Sequence, residues 1–273
     1  MAGMTSSYLI VPWRSIVQAL GYIRRPFSSL ARNACEKYMV VKCVVDLIAL
    51  YTGGKDSHFA IIEALRSGHI VKCLITAEPA RADSYMFHAV NARWALLHGE
   101  AMGIPHYLAG VSGVKEREVE ELGEVLARYK RECGAEGVLT GAVASRYQKE
   151  RVDRLAERLG LVHMAPLWGR DQVELLLAEA SALEFIIVAV MAMGLDERWL
   201  GARISRLEAQ KLLELSRKYG FSPVGEGGEF ETYVIASPLF RGKRVEILEA
   251  EIHWSPAGWG YYEIKSARLT KSI

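Results

Sequence analysis

Two rhythms of apolar residues alternate along this chain. "VVDLIALY" (44 to 51) is a nearly continuous apolar run, as expected of a strand covered on both faces. After a short polar break, Phe59, Ile62 and Leu65 recur at helical spacing, with Ser57 as the expected cap and Gly68 as the stop. The same exchange repeats. "IVKCLITA" (70 to 77) predicts a strand. Val90, Trp94, Leu97 and Ala101 predict a helix, stopped by Gly103 and Pro105. "HYLAGV" (106 to 111) precedes a helix marked by Leu122, Val125, Leu126 and Tyr129. "GVLTGAV" (137 to 143) precedes one marked by Val152, Leu155, Ala156 and Leu159. "LVHMAPL" (161 to 167) is the fifth strand. Such alternation predicts right-handed crossovers and a five-stranded parallel, doubly wound α/β sheet, with ligands beyond the carboxyl ends of the strands.

The rhythm changes after residue 168. A helix (Val173, Leu176, Leu177, Ala180) leads to the apolar run "FIIVAVMAMGL" (185 to 195), which is too short to cross a bilayer and reads as a buried strand. A further helix carries Ala209, Leu212 and Leu213. A glycine-rich segment follows. Leu248, Ala250, Ile252 and Trp254 then alternate as in a strand, and "SPAGWG" turns into a last strand, "YYEIKSARL". The expected organisation is an N-terminal arm (1 to 42), a doubly wound α/β domain (43 to 168) and a smaller mixed α+β domain (169 to 273).

Composition adds little to that picture and excludes some classes. With 273 residues, 51% hydrophobic and 24% charged, the chain can bury a sizeable core. A net charge of +2 is too small for a non-specific nucleic-acid binder, although a local RNA-binding face stays open. Cys35, Cys43, Cys73 and Cys133 form no C-x-x-C pair and have no zinc spacing, so free thiols in a reducing compartment are expected. The arm carries Arg14, Arg24, Arg25 and Arg32 before its first acid, Glu36. It reads as a transit-type basic segment or as the product of an upstream start, with Met39 the favoured true start because a strand begins just after it.

The polar break itself is "TGGKDS", Thr52 to Ser57. Gly53 and Gly54 allow a sharp turn and close approach of N–H groups to an anion. A helix start adds its dipole, Lys55 a charge, and Thr52 and Ser57 hydroxyls. Asp56 repels phosphate and fits better as a magnesium ligand or a cap. The loop lacks the four residues that a Walker A motif places between its first glycine and Gly-Lys. A plain strand-to-helix turn with a solvated lysine is the other reading of these residues.

The loop resembles the PP-loop of the N-type ATP pyrophosphatases, with Thr52 where serine is usual. "ADSYMFH" (82 to 88), "GAVASRYQKERVD" (141 to 153), "PLWGRDQVELL" (166 to 176) and "GEGGEFETYVIASPLF" (225 to 240) follow in order. Together they resemble the diphthine–ammonia ligase family over about residues 43 to 250. The resemblance implies a HUP, adenine nucleotide alpha hydrolase-like fold. It also implies a cytoplasmic AMP-forming ligase that uses ATP and Mg²⁺ to amidate diphthine on elongation factor 2. No glutaminase domain is visible, so free ammonium is the expected nitrogen donor. A tRNA-modifying PP-loop enzyme is an alternative, weakened by the lack of a local cysteine pair. A non-catalytic nucleotide-binding module is another, weakened by the intact loop. No membrane or DNA partner is expected, and oligomeric state is open.

Site expectations follow from the resemblance residue by residue. Thr52, Gly53, Gly54, Lys55, Asp56 and Ser57 would hold ATP phosphates, with Asp56 on the metal. Ile75 and Ala77 would flank adenine through their backbones. Glu226, Glu229 and Glu231, set around Gly227 and Gly228, would orient ammonium or take its proton. Ser145, Tyr147, Gln148 and Arg151 would meet phosphate or the substrate carboxylate. Ser84, Tyr85 and His88 would line the substrate pocket. Each stretch has a plainer reading: a glycine-rich turn with solvated acids, an ordinary helix start, or a capping segment. Arg146 departs from the family, which usually has Asp there, so any role of that acid is in doubt.

Overall fold

The computed structural model describes residues 44–79, 91–114 and 117–272. Parallel strands β1 (Asp46–Leu50), β2 (Ile70–Pro79), β3 (His106–Val111), β4 (Gly137–Leu139) and β5 (Val162–Met164) form one sheet in the order β3-β2-β1-β4-β5. Helix α1 (Lys55–Arg66) follows β1, and α2 (Leu96–Met102) precedes β3. Helices α3 (Arg117–Cys133) and α4 (Arg146–Leu159) link β3 to β4 and β4 to β5. The apolar run of β1 splits by period two. Leu47 and Ala49 join the core on one face, and Ile48 joins the core under α3 and α4 on the other. The strand order reverses between β1 and β4, so the loops after those strands diverge and leave a crevice.

The second sheet is built on β6 (Glu184–Val190), preceded by α5 (Gln172–Ala182). It runs in the order β10-β9-β8-β6-β7, where β7 is Arg203–Ile204 and β8 is Phe230–Ala236. Helix α6 (Arg206–Tyr219) lies between β7 and β8. A long hairpin, β9 (Lys243–Ser255) and β10 (Trp259–Lys271), curls until β10 also pairs with β6 at Gly260–Val190 and Tyr261–Ala189. One hydrophobic core joins the two sheets: Leu47, Phe59 and Ile61 share it with Leu176, Phe185, Val234 and Phe240. Among the described residues, no helix is long and apolar enough to cross a membrane.

Several local expectations shift. Helix α1 starts at Lys55 with Gly54 as N-cap, so Ser57 lies in its first turn instead of capping it. The Ser57 hydroxyl instead donates to Gly54 O at 3.1 Å and lies 3.1 Å from Thr52 Oγ1, bracing the loop. The helix expected over 90 to 101 begins as a tight 3-10 turn, Ala92–Ala95, after Asn91 at φ 64°. Strand β8 was hidden by the glycines before it. The free-thiol expectation fails for one pair, since Cys73 on β2 and Cys133 at the end of α3 are disulfide-bonded. Sixty residues separate them in sequence. Their proximity arises only when α3 packs on the sheet. The N-terminal arm with Cys35, and Cys43 just after it, lie outside the described residues.

Candidate active site

The crevice beyond β1 and β4 opens into a cavity of about 1350 Å³. One wall is the TGGKDS loop with the ends of β2 and β4. The opposite wall is the second sheet: residues 224–228 and 230–232, the end of β6, and β10 from Trp259 to Lys265. Thr52, Gly54, Asp56 and Ser57 line it, as do Ile75 and Ala77 at the β2 end and Ser145, Tyr147 and Gln148 at the start of α4. Glu226, Gly227, Gly228 and Glu231 face them. The segments nominated by sequence therefore meet around one space, although they are distant in the chain; Lys55 and Thr232, which are hydrogen-bonded beside it, are 177 residues apart. Ser84, Tyr85 and His88 lie outside the described residues.

The loop is held from both sides. Gly53 sits at φ 82°, and a Cβ there would approach Ala95 Cβ at 3.2 Å and the Tyr233 ring at 3.4 Å, so glycine is required twice over. Val234 N donates to Gly53 O at 3.0 Å, and Lys55 N donates to Thr232 Oγ1 at 3.1 Å. The first intrahelical bond of α1 is His58 N to Gly54 O. The N–H groups of Asp56 and Ser57 precede it, in the position where helix starts receive anions. Gly141, after β4, packs on this first turn, where a Cβ would sit 2.6 Å from Ser57 N.

Lys55 does not line the cavity. It is fully buried, and its Nζ contacts Asp56 Oδ1 at 2.6 Å, Val224 O at 2.9 Å and Glu179 Oε2 at 3.3 Å. Burial works against its charge, but the Asp56 and Glu179 carboxyl groups outweigh that and raise its pKa. Burial drives the Glu179 carboxyl well above its usual range, against the pull of Lys55 and with Asp56 beside it adding to the rise. Glu179 on α5 is thus a polar group under the loop that the sequence reading missed. A lone glutamate in a helical stretch gives no signal of burial. The lysine joins the loop to the second half of the fold and holds the Asp56 carboxylate, which is 28% exposed at the cavity.

The glutamates of GEGGEFET divide. Glu226 Oε1 accepts from three successive backbone N–H groups, Val143 at 3.0 Å and Ala144 and Ser145 at 2.8 Å. It clasps the turn that starts α4. Glu229 folds back on its own loop, accepting from Ser222 N at 2.9 Å and Gly227 N at 2.7 Å, and it does not line the cavity. Glu231, on β8 opposite Ala189, faces the cavity. Arg151 also turns away, with its guanidinium 3.4 Å from the Tyr147 ring centroid and donating to Tyr147 O at 3.2 Å.

Behind the loop, the Tyr51 hydroxyl lies 2.7 Å from His58 Nδ1 and 2.6 Å from His98 Nδ1. His58 Nε2 reaches Ser237 Oγ at 2.7 Å. Burial pushes His58 down to about 3 and His106 to about 4, and burial with His58 and His106 nearby pushes His98 down as well. This polar stack is neutral at ordinary pH and supports the loop from below.

The comparisons with known proteins bear on the same two segments. The diphthamide synthase N-terminal domain model matches residues 45–163, and the diphthamide synthase C-terminal domain model matches 171–270. The chain belongs to the diphthamide synthase family. It is 38% identical over 230 residues to diphthine–ammonia ligase of Rattus norvegicus, covering 77% of this chain and 86% of that one. The Homo sapiens protein of the same name is 36% identical over 230 residues, with the same coverage. That of Danio rerio is 36% identical, covering 78% of this chain and 92% of that one. This family member is accordingly a ligase, with the parallel doubly wound sheet and the mixed second sheet described above.

Proposed function

We propose that this cavity amidates the carboxylate of diphthine on elongation factor 2, using ATP and ammonium. The observation that carries this reading is the meeting of the TGGKDS loop and Glu231 across one cavity at the point where strand order reverses. The relatives' shared name, diphthine–ammonia ligase, supports diphthine and ammonia as substrates, and the TGGKDS loop at a helix start supports ATP. In the first step a carboxylate oxygen attacks the α-phosphorus of ATP. The bond from that phosphorus to the bridging oxygen breaks, and its electron pair leaves with pyrophosphate. The acyl-adenylate now has a leaving group that ammonia can displace. Ammonia attacks the carbonyl carbon, AMP departs, and the nitrogen loses a proton.

The chain's own groups fit these tasks. The N–H groups of Asp56 and Ser57 and the hydroxyls of Thr52 and Ser57 suit phosphate oxygens. Carboxylate oxygens from Asp56 and Glu231 line the cavity and suit a hard cation such as Mg²⁺, which would offset phosphate charge there. Leu50, Ile75 and Ala77 offer an apolar bed for a purine. Glu231, which faces the cavity from strand β8, is the acid assigned here to receive the ammonium proton. The Cys73–Cys133 bridge does not line the cavity, which weakens a thiol-dependent tRNA chemistry. It also removes the thiol argument for a reducing compartment, so a cytoplasmic location rests on the protein substrate alone.

The test is purified elongation factor 2 bearing diphthine, incubated with the protein, ATP, Mg²⁺ and ammonium. Amide formation seen by mass, with AMP and pyrophosphate as products, is the expected result. An unchanged mass would overturn the assignment.

A further inference from the structure

Burial of Lys55 takes from the cavity the cation that the loop motif suggested. Three basic side chains line the space among the described residues: Arg93, Lys149 and Lys265. Lys149 is held by Asp153 at 2.6 Å. Lys265 is held by Glu251 at 3.1 Å and Glu263 at 2.8 Å. Arg93 is exposed and forms no ion pair with a described carboxylate; its contact is the neighbouring Trp94 ring, 5.7 Å away.

The backbone carrying Arg93 is fixed. Asn91 Nδ2 donates to Tyr262 O, and its Oδ1 accepts from Ile264 N, both at 2.8 Å. Trp94 Nε1 donates to Ile264 O at 2.7 Å, and Trp94 O accepts from the Tyr233 hydroxyl at 2.8 Å. The turn abuts the phosphate-type loop, because the space a Gly53 side chain would need is taken by Ala95. A fork of N–H donors on a rigid turn beside an anion-accepting helix start is suited to a polyphosphate.

We infer that Arg93 is the cation that meets the β- and γ-phosphates of ATP and the leaving pyrophosphate, while Lys55 is a positioning residue for Asp56. This rests on the adenylating reading of the cavity. As the bond from the α-phosphorus to the bridging oxygen breaks, negative charge grows on pyrophosphate, and the guanidinium N–H groups stabilise it there. Because Arg93 would touch only the departing part, its removal separates pyrophosphate from AMP.

The experiment measures equilibrium binding of inorganic pyrophosphate, AMP and ATP, each with Mg²⁺, to the full chain and to its Arg93→Ala and Arg93→Lys variants. Arg93→Ala should weaken pyrophosphate and ATP by roughly tenfold or more and leave AMP unchanged. Arg93→Lys should recover part of that loss. Unchanged pyrophosphate binding in Arg93→Ala, or an equal loss for AMP, would overturn the assignment of Arg93 alone. If the unaltered chain binds none of the three, the adenylating reading fails and this one falls with it.

Discussion

The two glycine-rich loops that face each other across the cavity look alike in sequence and are used differently. Each sets charged residues among glycines, the pattern of a flexible loop offering charge to a ligand. In TGGKDS the lysine turns inward, under the second half of the fold, and Asp56 and the helix start remain at the cavity. In GEGGEFET two of three acids are spent on backbone N–H groups, one across the crevice and one within the loop. Glu231, already on strand β8, faces the cavity. Charge next to glycine therefore serves here as much to fix the loops as to bind.

That comparison can be broken most sharply at Lys55. Lys55→Ala removes the partner of Val224 O, Asp56 and Glu179 in a buried place and should cost about 3–5 kcal/mol in denaturant unfolding. If Lys55 served ligand alone, stability would hardly move. Glu179→Gln should lose less, because glutamine keeps an acceptor oxygen for the Lys55 Nζ at that place. The next effect is on chemistry. Glu231→Gln should slow ammonia-dependent amide formation roughly a hundredfold and spare ATP-dependent release of pyrophosphate. Glu229→Gln should leave both steps near normal, and an equal loss at Glu229 would erase the division between the acids.

Glu226 gives a smaller, structural signal. Glu226→Ala frees three N–H groups at the start of α4 and should cost about 1–3 kcal/mol, with Glu226→Gln, which keeps an acceptor oxygen, costing less. The last test uses acid. His58, His98 and His106 have folded pKa values pushed below the ordinary 6.5. Between that value and the folded ones, about 3 for His58 and about 4 for His106, the unfolded chain binds protons that the folded chain refuses. Stability from this stack is present above pH ~6.5 and is lost as pH falls through that window. Amide protection factors near Gly53 should fall at a higher pH than those near Gly228, since the stack lies behind the first loop.

The alternating apolar rhythms made the parallel sheet legible, because strands buried on both faces and amphipathic helices leave different periods in sequence. The second sheet was half legible. Strand β6 is a plain apolar run. Strand β8 was missed because its first residues, Phe230 to Thr232, belong to a stretch dominated by glycine and glutamate. The site segments could be named because their residue types and order carry a family resemblance. Their individual duties could not, since Lys55 and Arg151 would read the same whether they faced ligand or protein.

By itself, then, the sequence determined the strand–helix order, the position of the glycine turn after β1 and the set of segments that meet at the cavity. All of these depend on local periodicity and on short motifs. Tertiary structure alone decided the rest. It buried Lys55 with Glu179, 124 residues away by number, and joined Cys73 to Cys133. It set Glu226 on the N–H groups of residues 143–145 and left Arg93, on a turn with no motif, as the cavity's cation without a described carboxylate partner. Whether a charged side chain meets ligand, solvent or another part of the chain depends on what packs over it, and that is set by contacts between residues distant in sequence.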